Sequence, residues 1–580
     1  MKKFFKYVLA TIVGLMIFGF LQIIMFFAVI GAMAGMSDTP VVVKENSVFE
    51  LNLKGELIER SQDDFAALML SSLNPNVSQI ALNDVLNGID KAAKEPKISG
   101  IYLKISEFSA SPASVQEIRK ALEKFKESGK FIVAYADNYG NGTYYLASVA
   151  DKVFINPQGM VALSGMSANT VFFKNLLDKI GVKVQVFKVG TFKSAVEPFI
   201  TDKMSDANRL QMSALTSSLW NEMLSAISVS RNISVDNINR FSDEGKFFDE
   251  AQIALNEHFV DSLIYENEIK NILENLTVKD YKSVSLSEIK RVVEKPNKAK
   301  DEIAVFYAVG DIDGGSESGI VSKKVAEELI KLADKEDIKA VVLRVNSPGG
   351  SAYGSEQIWH AVEVVRAKKP VVVSMGDYAA SGGYYISCAA DAIVAEPNTI
   401  TGSIGIFGLF PDMKGLYGKI GLNFDGVKTN KFADLGDASR PMTDLEKNLV
   451  QKYVERGYEL FTKRCADGRN MTVEEIKKLA EGRVYSGTDA LKLGLVDTLG
   501  TLNDAIRIAA EKVAVTDYKT VDYPAKESFA EQIMKNLSTS IETKILQKRL
   551  GENYRYFQSI ENAQKRFGVQ AFMPLEVVVD

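Results

Sequence analysis

The chain has 580 residues, 46% of them hydrophobic and 25% charged, a globular balance that excludes disorder or collagen-like repetition for its bulk. Lys and Arg number 69 against 74 Asp and Glu, a net charge of −5 with no basic excess, so nucleic acid is excluded as the main partner. Two cysteines and two histidines exclude a disulfide framework and any multi-ligand His or Cys metal site, so neither metal nor cofactor is expected.

Residues Tyr7 to Met36 carry no charged side chain, and Gln22 is the only strongly polar one. About 20 apolar residues span a bilayer core as a helix. Residues 1–36 are therefore expected to be a short cytoplasmic tip and a single transmembrane anchor. Cleavage near Ala32 and Ala34 stays open as an alternative. Lys2, Lys3 and Lys6 precede the run and Asp38 follows it, which orients the N-terminus to the cytoplasm and the body outside.

The body is a repeat. Asp137–Asp151 (DNYGNGTYYLASVAD) aligns with Asp377–Asp391 (DYAASGGYYISCAAD) at an offset of 240, which holds without a gap through Pro157/Pro397, Gly165/Gly405 and Phe192/Phe432. Two copies are expected, 45–300 and 301–515, joined by the charged stretch Glu294–Lys300. Residues 516–580 lie outside the repeat and read as a helical, amphipathic extension. Short β-branched runs (Ile303–Val309, Ala340–Val345, Val371–Ser374, Ala392–Ala395) alternate with helical patterns (Lys323–Lys335, Ser355–Ala367). That alternation predicts an α/β fold with a largely parallel sheet and ligands at the carboxyl ends of its strands.

In the first copy, Lys193 sits among small and apolar residues after the strand-like run Val184–Phe187. Burial would lower its pKa and leave a neutral amine able to accept a proton. A surface lysine is the plain alternative. In the second copy the strand ending at Val345 enters Asn346-Ser347-Pro348-Gly349-Gly350-Ser351. Its glycine amides could face a ligand oxygen, or the segment could be an ordinary turn. The next strand enters Ala380-Ser381-Gly382-Gly383, where Ser381 is either a nucleophile or a helix N-cap. At the 240 offset Ser381 faces Asn141, Gly349 and Gly350 face Ser109 and Ala110, and Lys193 faces Ala433. One copy keeps the lysine and the other the serine. His258 and His360 lie at no strand end or glycine turn, which leaves a Ser-His-Asp triad without support.

These residues resemble the signal peptide peptidase A (protease IV) family in its long, duplicated form. The matching pieces are Gly190–Pro198 (GTFKSAVEP), Asn346–Gly350 (NSPGG), Ala380–Tyr384 (ASGGY) and Thr401–Gly405 (TGSIG). The resemblance implies two tandem Clp-protease/crotonase-like domains behind the N-terminal transmembrane helix. It further implies a serine endopeptidase with a Ser/Lys dyad: Ser381 as nucleophile, Lys193 as general base, and Ser403, whose repeat partner is Leu163, orienting the lysine. Gly350 and Gly382 would supply oxyanion amides, with Gly349 a further candidate. Also implied are hydrophobic signal-peptide remnants as substrate, membrane lipid contact through the anchor, a homotetramer, no cofactor, and a place in the bacterial inner membrane. Rival readings are a crotonase-like acyl-CoA enzyme and a non-catalytic membrane scaffold. The family pattern offers tyrosine as readily as Phe192 at that position, and the tail beyond about Thr516 matches nothing in it.

Overall fold

A computed structural model describes residues 40–61, 79–277, 280–293, 297–314, 319–525 and 568–573, together with parts of 4–25. The anchor expected over 7–36 falls partly on residues outside that set. Residues 10–22 are helical, and among the described residues no helix is long and apolar enough to cross a membrane.

The first copy builds a parallel sheet from β1 (Ser47–Ile58), β2 (Gln79–Ala81), β3 (Ile98–Ser109), β4 (Phe131–Ala136) and β5 (Lys152–Ile155). β6 (Lys183–Lys188) leaves this sheet, while β7 (Ser262–Leu263) and β8 (Lys282–Ser285) return to it. The second copy repeats the plan with β9 (Glu302–Val309), β10 (Ile338–Ser347), β12 (Val371–Ala380) and β13 (Ala392–Ala395), after the short β11 (Gly349–Ser351). β14 (Ile400–Gly402), β16 (Val484–Ser486), β17 (Thr498–Leu499) and β18 (Lys519–Tyr523) complete the second sheet. Its central strands are apolar on both faces, as in β10, where Val341 and Leu343 face one core and Ala340 and Val342 the other. Such strands need helices on both sides, and the helices Ala352–Arg366 and Leu502–Lys512 supply them.

A third, antiparallel sheet is the departure from plain duplication. Its order is β11, β19 (Gly568–Phe572), β15 (Phe407–Asp412), β6. It draws strands from both copies and from the tail. β6 pairs with β15 from Lys188↔Phe407 to Lys183↔Asp412, so the segment leading to Lys193 is built onto the second copy. Residues 519–523 and 568–572 of the tail, expected within a helical extension, are strands. β18 lies beside β9 and β19 between β11 and β15, because both find open sheet edges whose backbone groups need partners. The rest of 516–580 lies outside the described residues.

A buried ionic cluster ties the copies together. Arg344 of β10 donates to Glu59 (2.6 Å) and to Glu117 (2.7 Å), both from the first copy. Asn346 donates to Glu59 and to Asp377, and Asp377 accepts from the amide and hydroxyl of Ser114. Burial raises the pKa values of Glu59 and Asp377 against the pull of Arg344. Removing one partner of a buried pair strands the other. Arg344→Met is expected to lower stability by about 3–5 kcal/mol in denaturant titration.

Candidate active site

Three loops converge at the carboxyl ends of the second sheet. β12 ends at Ala380, and Ser381 turns the chain into the buried helix Gly382–Ser387. Ser381 adopts φ 54°, ψ −112°, a region costly for any residue with a Cβ. Two bonds hold it there: its N–H donates to the Gly402 carbonyl (2.8 Å), and its own carbonyl accepts from Tyr385 N–H (2.9 Å). The Ser381 side chain makes no capping bond to the helix, which sets the N-cap alternative aside.

Its partner is a lysine. Lys193 Nζ lies 2.8 Å from Ser381 Oγ, 3.0 Å from Ser403 Oγ and 3.1 Å from the Ser403 carbonyl oxygen. Lys193 is 1% exposed and Ser381 0%. Burial alone brings the lysine down to about 7, with no carboxylate to oppose it. A neutral amine has two N–H donors and one lone pair. The Ser403 carbonyl and hydroxyl can take the two donors, and the lone pair is left for the Ser381 hydroxyl.

The lysine loop is clamped by the second copy. Val189 N–H donates to the Ile406 carbonyl and Phe192 N–H to the Glu481 carbonyl. Gly482 lets this happen: a Cβ there would come within 2.7 Å of the Lys193 backbone. Gln211 holds the other side, donating to the Phe192 carbonyl and to Ser194 Oγ. Neither Glu481-Gly482 nor Gln211 carried a functional signal in the sequence.

The glycine turn lies beside the pair. Ile312 exchanges bonds with Gly349 C=O and Ser351 N–H. Strand alternation then points the Gly350 amide to the opposite side, toward β19. Gly349, at φ 102°, passes so close to Gly382 that a Cβ on it would meet the Gly382 nitrogen at 2.6 Å. The three glycines expected here are thus neighbours of Ser381.

The first copy holds no equivalent. Asn141 opens the matching helix, but its side chain is spent on the Ser164 and Gly165 amides and the Gly165 carbonyl. Ala433, opposite Lys193 in the repeat, is exposed. His258 and His360 lie away from the dyad in sequence and bond to none of its members. Cys388 and Cys465 are free and buried. Among the described residues no cluster of three His, Cys, Asp or Glu is disposed to hold a metal ion.

The sequence matches Peptidase family S49 over residues 124–279 and 363–516, and Clp protease over 298–400. Protease 4 of Salmonella typhi is 37% identical over 490 residues, covering 82% of this chain and 78% of that one. Protease 4 of Haemophilus influenzae is 35% identical over 537 residues, covering 89% and 87%. The chloroplastic Serine protease SPPA of Arabidopsis thaliana is 31% identical over 496 residues, covering 83% and 71%. With two family segments on two copies of one α/β domain, and relatives that run through most of its length, the chain belongs to peptidase family S49 and is a serine-type peptidase.

Proposed function

We propose that this peptidase works through a Ser381/Lys193 dyad, is held at the bacterial inner membrane by its N-terminal apolar run, and hydrolyses hydrophobic peptides, signal-peptide remnants among them. One observation carries the reading: a lysine amine buried without a counter-charge, 2.8 Å from a serine hydroxyl that makes no capping bond.

In the neutral state the Ser381 hydroxyl donates to Lys193 Nζ. As Ser381 Oγ attacks a peptide carbonyl, Lys193 takes the proton and becomes an ammonium. Ser403 accepts hydrogen bonds from it and holds it in line. The Gly350 and Gly382 amides receive the developing oxyanion, a contribution of about 10²–10³ in rate per donor. Lys193 then protonates the leaving amine, and the acyl group stays on Ser381. Water repeats the sequence: it gives a proton to Lys193, attacks the ester, and the proton returns to Ser381. No metal or nucleotide enters any step. The anchor, with the N-terminus in the cytoplasm and the body outside, would keep the site near lipid-borne substrate and raise its effective concentration. The test is cleavage of a short apolar peptide by the purified protein, with and without Ser381→Ala. Equal rates would return the scaffold reading to first place.

A homotetramer belongs to the same proposal. Within one chain the join is β6 of the first copy on β15 of the second. The repeat equivalents of these strands, residues 423–428 and 167–172, pair with nothing in their own chain as strands. Leu422, Phe424, Val427 and Val171 are exposed there at 49%, 59%, 103% and 49%. The same join made between chains, second repeat to first, is heterologous, the kind of contact that builds a ring when its rotation closes. Phe424→Asp with Val427→Asp is expected to shift the sedimentation mass from four chains to one while each chain stays folded.

A further inference from the structure

Ser381 is fully buried, and a nucleophile that no peptide can reach is silent. The covering element is the chain's own strand β19. Phe572 packs in a cluster with Ala195 and Val196, just past Lys193, and with Phe407. Met573 packs with Ala380, next to Ser381, and with Met212. The strand therefore touches the flanks of both members of the dyad.

Its placement is that of an extended peptide added between two strand edges. On one side Gly349, Gly350 and Ser351 face Phe572, Ala571 and Gln570. On the other, Phe407, Gly408 and Leu409 face Gln570, Val569 and Gly568. Both pairings are antiparallel, and Met573 N–H donates to the Pro348 carbonyl at 2.8 Å. That bond and the register make Gly350 and Ala571 a hydrogen-bonded pair, so the Gly350 amide faces the Ala571 carbonyl. The same oxygen lies against the other two glycines. A Cβ on Gly349 would meet it at 2.1 Å and one on Gly382 at 3.0 Å. The Ala571 carbonyl oxygen thus sits where the amides proposed as oxyanion donors converge.

We propose that residues 568–573 occupy the peptide channel in substrate register, with Ala571 in place of the residue whose carbonyl is attacked, and compete with substrate from within the chain. This rests on the dyad reading above. The channel's taste follows from its occupant: an uncharged extended segment, a small side chain at the attacked position, and large apolar side chains at the next two.

An internal competitor raises the apparent KM and leaves kcat alone, whereas a strand needed only for architecture would affect kcat and folding. Ala571→Asp in the full chain introduces a charge at a dry position and should expel the strand. The apparent KM for an apolar peptide is then expected to fall about tenfold or more with kcat unchanged, because a tethered segment acts at an effective concentration in the millimolar range. An unchanged KM, or a kcat that falls with it, would overturn the proposal. A second measurement needs no activity. A fluorescent Gly-Val-Gln-Ala-Phe-Met peptide should bind the Ser381→Ala/Ala571→Asp chain and not the Ser381→Ala chain. Equal binding to both, or to neither, refutes the competitor. Peptide hydrolysis that persists in Ser381→Ala would instead refute the dyad, leaving the binding result to stand on its own.

Discussion

Ser381→Ala and Lys193→Ala are each expected to reduce peptide hydrolysis by about 10⁴-fold or more, and the double variant by little more than either alone, since nucleophile and base act as a unit. The two losses have different origins. Without Ser381 there is no acyl acceptor. Without Lys193 the hydroxyl remains at φ 54° in its turn but has no acceptor for its proton. Lys193→Arg is no rescue, because a guanidinium is never neutral at working pH and cannot take the proton. Initial rates on an apolar peptide, checked against unchanged circular dichroism, decide the matter. Full activity in either single variant would remove the mechanism.

The second large effect is in pH. The lysine must be neutral to act, and burial sets its pKa at about 7. On the acid side kcat/KM is expected to fall about tenfold per pH unit, and above the pKa it should level off. Stability carries the opposite face of the same number. The unfolded chain keeps the Lys193 proton up to about pH 10.4, the folded chain only to about 7. Between those values the unfolded state binds the extra proton, so this residue's contribution improves as pH rises and is worst below 7. Lys193→Met should abolish activity yet raise stability at neutral pH by roughly 2–4 kcal/mol, an advantage that shrinks toward pH 10. A variant as unstable as the parent at pH 7 would mean the amine is not desolvated.

Much of this was legible in the chain. The offset of 240 carries directly into structure: β3 and β10, β4 and β12, β5 and β13 all begin 240 residues apart. Runs such as Val341–Val345 announce strands because β-branched residues fill a sheet covered on both faces. Ser381 was marked by its glycine neighbours and by what its repeat partner lacks. Lys193 was harder. Its small and apolar neighbours and its repeat partner Ala433 singled it out, but they left a surface lysine as the plain alternative, and the resemblance supplied its role. Its burial depends on Ile406, Glu481 and Gly482, over 200 residues away. The strand β19 in the tail was hidden for a related reason. Five residues are too few for a periodicity to speak, and β19 is a strand only because two distant edges leave a slot for it. The Arg344 cluster was likewise invisible, since its charges meet only once both halves have folded.

Lys193 and Ser381, the proposed base and nucleophile, are 188 residues apart, on opposite sides of the duplication, and the lysine loop is fastened by segments that come later still. If that pair is the catalytic centre, a chain still being made has none. A lysine-bearing front half keeps an exposed, charged amine, and a serine-bearing back half has an alcohol nothing can activate. Under the proposed mechanism, hydrolytic competence arrives only with completed tertiary structure.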